Sequence, residues 1–136
     1  MQYLCSRVGA EWYGVEVSHV IEVLHFVVLH EIPGAKPDVL GLLTLRDLIM
    51  PVVDLRIRFG LGEAALSVDT PIIAINTPNG PVGLVVDDVD DVEQVSEIKD
   101  EHGKESPFTI GTARLDNRLL LILNISHFRE STPVSG

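Results

Sequence analysis

The chain has 136 residues, enough for one domain or two very small subdomains sharing a surface. Apolar residues make up 46% of it and charged residues 22%, which excludes a disordered chain. Ten Lys and Arg against twenty Asp and Glu leave a net charge of −10, so nucleic-acid phosphates and anionic lipid surfaces would repel it.

Short β-rich runs separated by turn chemistry dominate the pattern. Residues 2–8 and 12–15 flank Gly9-Ala10 and predict a tight hairpin. Val17, Val20, Ile21 and Leu24 recur at helical spacing and predict a short helix, with Ser18 as its cap and His19, Glu22 and Val23 facing outward. Val23, off the apolar stripe, is the residue marked for contact with a partner. Residues 26–29 predict a further strand. Residues 40–45 and 48–53, separated by Arg46-Asp47, predict a second hairpin. Pro51 lacks an N–H, which puts its strand at a sheet edge or that residue between ladder bonds. Residues 71–76 and 81–86 flank Pro78-Asn79-Gly80, where Asn-Gly is the strongest short-range turn signal. Residues 108–115 and 119–123 flank Asp116-Asn117 and predict the last hairpin.

Residues 45–55 and 115–125 echo one another: a strand end, a polar turn, an aliphatic strand, then Asp or Asn before an aliphatic residue. Two similar curled sheets would explain the echo, with a boundary between residues 60 and 69. Closing each into a barrel would leave few open edges. The expected subdomains span roughly residues 12–68 and roughly 69–122, with the terminal segments completing the barrels.

Catalytic chemistry finds little purchase. Gly60-Leu61-Gly62 is a lone G-x-G with no helix signal after it. His19, His25, His30, His102 and His127 form no metal-binding spacing, and Cys5 has no histidine beside it in sequence. The single cysteine cannot form an internal disulfide, which fits a reducing cytoplasm. The longest apolar runs fall far short of the ~20 residues of a spanning helix, and residues 1–20 show no secretory signal, so no membrane insertion is expected. Residues 87–93 hold five carboxylates but no calcium-loop glycine; they read as an exposed acidic edge anchored by Val89 and Val92. Arg46, Arg56 and Arg58 form the counterpart basic cluster. Arg46, in a two-residue turn, is either solvated, paired with Asp54, or displayed to a partner.

Residues 41–60, Gly41-Leu42-Leu43-Thr44-Leu45-Arg46-Asp47 through Pro51-Val52-Val53-Asp54-Leu55-Arg56 to Phe59-Gly60, are similar to a known signature. It is G-x-x-N-L-R-G-x-x-x-P-V-x-D-L-R-x-x-F-G, that of the CheW-like coupling proteins of bacterial chemosensory arrays. Residues 13–17, 20–23, 82–87 and 111–125 support the likeness, which covers roughly residues 3–128. The resemblance implies an all-β fold of two SH3-like five-stranded barrels with one or two short helices. It also implies a non-catalytic adaptor with no cofactor and no metal. Its partners would be the regulatory domain of a CheA-like sensor histidine kinase and the cytoplasmic tip of a methyl-accepting receptor, with possible rings formed with the kinase or with itself. The chain would then be cytoplasmic and recruited to membrane receptor arrays. By position, Val20, Glu22 and Gly41 would face the kinase, while Arg46, Ile72, Gly83 and Val92 would lie in or near the receptor groove between the barrels. With no receiver or kinase domain in these residues, it is expected to carry no phosphate itself.

Three positions depart from the pattern: Thr44 replaces the asparagine, and Asp47 and Asp88 replace glycines. Asp47 tolerates the left-handed backbone its turn would need and could pair with Arg46. Asp88 adds acid near the groove. Two other readings are a generic SH3-like interaction module, for instance in a pilus or gliding pathway, and a metal-dependent hydrolase built on residues 87–93.

Overall fold

The computed structural model describes residues 1–63, 65–100 and 107–129. The chain runs β1 (Gln2–Val8), β2 (Glu11–Glu16), a 3-10 turn at Val17–His19, β3 (Val20–His25), β4 (Val39–Leu45), β5 (Leu48–Asp54) and a one-turn helix α1 (Leu55–Arg58). It continues through β6 (Pro71–Thr77), β7 (Gly80–Val85), β8 (Asp88–Gln94), the two-residue β9 (Lys99–Asp100), β10 (Thr109–Arg114), β11 (Leu119–Leu123) and a 3-10 turn at Ile125–His127. One sheet has the order β3-β6-β7-β5-β4 and the other β8-β1-β2-β11-β10-β9.

Each sheet curls around its own core as an SH3-like barrel. In the first, Ile21, Leu24, Leu43, Met50, Val52, Ile72, Ala74 and Val85 converge from all five strands. In the second, Tyr3 and Cys5 of β1, Ala113 of β10 and Leu120 and Ile122 of β11 pack together, with Trp12 of β2 against them. A third core lies between the barrels, where Leu4, Tyr13 and Val15 of one meet Val53, Ile73, Ile75 and Leu84 of the other. Phe59, at the end of α1, fills it with Tyr13 at 5.1 Å and Phe108 at 4.7 Å between ring centroids.

The four hairpins expected from turn residues are present, but the barrels do not divide the chain near residues 60–69. β6 and β7 pair with β3 and β5, while β1 and β2 pair with β8 and β11. The sequence repeat is real: β1 to α1 is followed by a second copy running from β6 to the last 3-10 turn. Each copy lends its first hairpin to the barrel built from the other's remaining strands. Only the boundary between 68 and 69 of the 12–68 and 69–122 division falls between the two copies, and the division does not follow the barrels, because exchanging hairpins leaves no local trace in sequence.

The repeat extends to irregularities. Val20 opposite Ile75 and Val89 opposite Ser6 both precede a bulge, after which Val23 meets Ile73 and Val92 meets Leu4. Val20 and Val89 both pack against the shared core. Gly41 and Gly111 each follow a bulge and each lie under the backbone that closes the barrel. A Cβ on Gly41 would come within 2.6 Å of the His30 carbonyl oxygen, and one on Gly111 within 2.8 Å of the Lys99 carbonyl oxygen.

Two local expectations change, and of the two placements open to Pro51 the second, between ladder bonds, holds. The predicted helix over residues 17–24 is a 3-10 turn followed by β3. Its helical spacing arises because the bulge turns Val20 to the shared core while Ile21 and Leu24 enter the barrel core. Residues 26–29 form no ladder strand; this segment bridges the barrel's edges, with Phe26 N–H donating to Thr70 at 2.7 Å and His30 exchanging bonds with Leu42 at 2.8 and 2.7 Å. Pro51 lies in an interior strand, opposite Leu42. Leu42 spends both backbone groups on His30, so that pair needs no N–H from proline, and pairing with β7 begins only at Val52.

Candidate functional site

The three arginines expected to form a basic cluster are each taken by a different acid. Arg46 Nη2 donates to Glu22 Oε1 at 2.5 Å, Arg56 Nη1 to Asp87 Oδ2 at 2.8 Å, and Arg58 Nε to Asp38. Asp87 also accepts from the Gly9 N–H at 2.7 Å, so it ties the β1–β2 turn of one barrel to α1 of the other. Asp54, offered as a partner for Arg46, instead caps α1 by accepting from the Arg56 N–H at 2.9 Å. Burial raises its carboxyl above the ordinary range, against the pull of the backbone bonds from Arg56 and Ile57. The turn at residues 46–47 also differs from expectation. Arg46 takes the positive φ, at 56°, and Asp47 does not. Positive φ at the first central residue is the mark of a II′ hairpin turn.

The acidic edge is strand β8, at one end of its sheet. Its carboxylates divide into two groups. Arg118 holds Asp90 at 2.9 Å and Glu93 at 3.8 Å while stacking its guanidinium 4.0 Å from the Trp12 ring, and it keeps the Asp90 carboxyl below the usual carboxylate range. Among the described residues Asp88 accepts from the Val89 N–H, at 3.0 Å. Val89 anchors the strand as expected, but Val92 does not: it is 46% exposed. Among the described residues no three of His, Cys, Asp and Glu gather where they could hold a metal ion. Cys5 is buried in a barrel core, and burial pushes its thiol up to about 11, away from nucleophilic use. His102 lies outside the described residues.

Of the residues assigned to partners by resemblance, three are interior. Ile72 is fully buried in a barrel core. Gly83 leaves room for Ile72 and Val52, whose methyls would stand 3.1 and 3.2 Å from an added Cβ. Gly41 lies beneath the closing segment. These three shape the surface from below and present no side chain to a partner. Val20 is half-buried against the shared core. Glu22, Arg46 and Val92 remain accessible, and Glu22 and Arg46, assigned to different partners, touch each other.

The structure adds a feature that the sequence did not mark. β3 and β8 are equivalent strands, each at one end of its sheet, and a groove of about 220 Å³ runs between them. Val23, Leu24 and His25 line it from β3, Asp88 and Val89 from β8, with Asp69 and Pro71 at the junction. Val23 is 42% exposed here, and Val92, its counterpart in the repeat, lies further along β8. An apolar floor between two edge strands suits a helix face laid along it. A second opening, of about 430 Å³, is lined by Leu42, Pro51, Val53 and Phe128. Its arginines are committed: Arg58 to Asp38, and Arg129 to the Pro81 carbonyl.

The profile of the CheW-like domain family matches residues 2–132. The chain is 31% identical to the chemotaxis protein CheW of Bacillus subtilis over 123 residues, covering 86% of this chain and 79% of that one. It is 26% identical to CheW of Klebsiella aerogenes over 136 residues, covering 96% and 82%. Its fold superposes on the crystal structure of the scaffolding protein TtCheW from Thermoanaerobacter tengcongensis with a TM-score of 0.87 and 28% identity, covering 96% of this chain and 94% of that one. Near-complete coverage in sequence and in fold shows that this chain belongs to the CheW-like domain family.

Proposed function

We propose that this chain is a non-catalytic coupling adaptor of a chemosensory array. It joins the cytoplasmic tip of a methyl-accepting receptor to the regulatory domain of a sensor histidine kinase. The observation that carries the reading is the groove between β3 and β8, whose apolar lining is held open by two packed barrels. A receptor hairpin laid there would cover Val23, Leu24 and Val89 and reach Val92. Ile72 and Gly83 support that wall from inside the barrel.

The kinase contact is assigned to the surface around Glu22 and Arg46. Their ion pair makes them one patch, so Arg46 moves from the receptor group to the kinase group. Val20 sets the height of β3 beneath this patch, and Gly41 lets the closing segment lie flat against β4. In this reading the adaptor works in the cytoplasm, drawn to the membrane by its receptor. No helix among the described residues is long and apolar enough to cross a membrane.

Reconstitution tests it: receptor signalling fragments, the kinase and the full chain are combined, and sedimentation and kinase activity are followed. The expected result is co-assembly and receptor-dependent kinase control, both weakened by Val23→Asp. Association with neither partner, in assembled arrays as well as in solution, would overturn the assignment.

A further inference from the structure

The groove between β3 and β8 carries charge that its apolar floor does not account for. Asp69 and Asp88 both belong to its lining. Five other acids have an arginine: Asp87 has Arg56, Asp90 and Glu93 share Arg118, Glu22 has Arg46, and Asp38 has Arg58. Among the described residues Asp69 engages through its backbone N–H, which donates to Ser67 Oγ at 3.1 Å. Among the described residues the Asp88 carboxylate takes the N–H of its own neighbour Val89. Neither has a basic partner among the described residues, and His25 is the other titratable group in the lining.

Two carboxylates left without counter-charges beside Val23, Leu24, Pro71 and Val89 make the groove apolar at its base and negative at its rim. A helix bringing an aliphatic stripe with a cation beside it gains on both counts. The same helix with a carboxylate there meets like charge at close range. We infer that the groove selects receptor hairpins carrying a lysine or arginine next to their apolar anchor, with Asp69 and Asp88 as the specificity-determining residues. The inference rests on the adaptor reading above and narrows it. Asp88, where the resembling signature has glycine, makes this selectivity a property of this chain.

The probe is a soluble receptor signalling-tip hairpin made in three versions, with Lys, Gln or Glu at the position flanking its groove-facing stripe. Each is titrated against the full chain and against an Asp69→Asn/Asp88→Asn variant, at low and at high salt. Asparagine at position 88 keeps the oxygen that accepts from Val89, and circular dichroism checks the fold. The Lys version is expected to bind the unmodified chain about three- to tenfold more tightly than the Glu version at low salt. That ratio should shrink towards one at about 1 M salt, where the Debye length is about 3 Å. It should also vanish in the double variant, while the Gln version binds both proteins alike. Equal binding of the Lys and Glu versions to the unmodified chain would overturn the charge selection and leave groove docking standing. Binding of none of the three, or binding unchanged by Val23→Asp, would overturn the docking itself and this inference with it.

Discussion

Arg46, at the tip of the β4–β5 hairpin, reaches Glu22 of β3 at 2.5 Å and so links the two end strands' regions of one sheet across the seam of its barrel. The pair is exposed enough that water competes for it, and exposed pairs contribute about 0–1 kcal/mol. Its interest is therefore positional: it fixes where one cation and one anion stand on the surface.

Arg46→Gly separates turn from surface. A non-glycine residue at positive φ costs about 1–2 kcal/mol, so glycine relieves strain while losing a weak ion pair. Thermal melts should show stability unchanged or raised by about 1 kcal/mol. Arg46→Glu, which faces Glu22 with a like charge, is expected to keep the fold and to impair kinase control in reconstituted arrays. Full kinase control in Arg46→Glu would remove this residue from the contact surface.

Gly41→Ala and Gly111→Ala are expected to be destabilising by about 1–3 kcal/mol each, since the new methyl meets closing backbone that has no free direction to yield. At Gly41 the φ of 153° adds strain. Urea unfolding of both variants checks this. A neutral result at Gly111 would mean the second barrel is not closed as the first is.

Asp54→Asn isolates a buried charge. The raised carboxyl pKa means the folded chain holds the proton more readily than the unfolded one. This group's contribution is therefore most favourable below about pH 4 and declines as pH rises through the folded value. Asparagine can still accept from the Arg56 N–H, and Asn124 occupies the matching place in the second repeat. The variant should gain on the unmodified protein as pH rises from 4 to 7, read from urea midpoints at each pH. A deficit at pH 7 would show that pairing with Arg56 outweighs desolvation.

Arg118→Ala removes the cation over Trp12 and the partner of Asp90 and Glu93. A loss of about 1–2 kcal/mol is expected from the ring contact. Trp12 is the chain's one tryptophan, so the same variant should shift its fluorescence maximum, a direct reading of whether the stack exists in solution.

The hairpins were legible because their turns are short and chemically marked, as at Pro78-Asn79-Gly80 and Asp116-Asn117. β3 was not, since its bulge shifts the phase of alternation and produces apolar spacing that a helix would share. Val23 could be marked as exposed under either geometry. The groove could not be found in the sequence, because it lies between strands that are far apart along the chain and meet only after hairpins have been exchanged. Ile72 and Gly83 fit the signature by position, yet position alone does not distinguish a residue that touches a visitor from one that holds up the wall.

The traded hairpins also determine how load passes through the molecule. Pulling one repeat copy from the other would require stripping β1 from β8 and β2 from β11 in one barrel, and β6 from β3 and β7 from β5 in the other. Tension between the two copies is therefore borne by both barrels at once, through paired backbone and not through side chains alone.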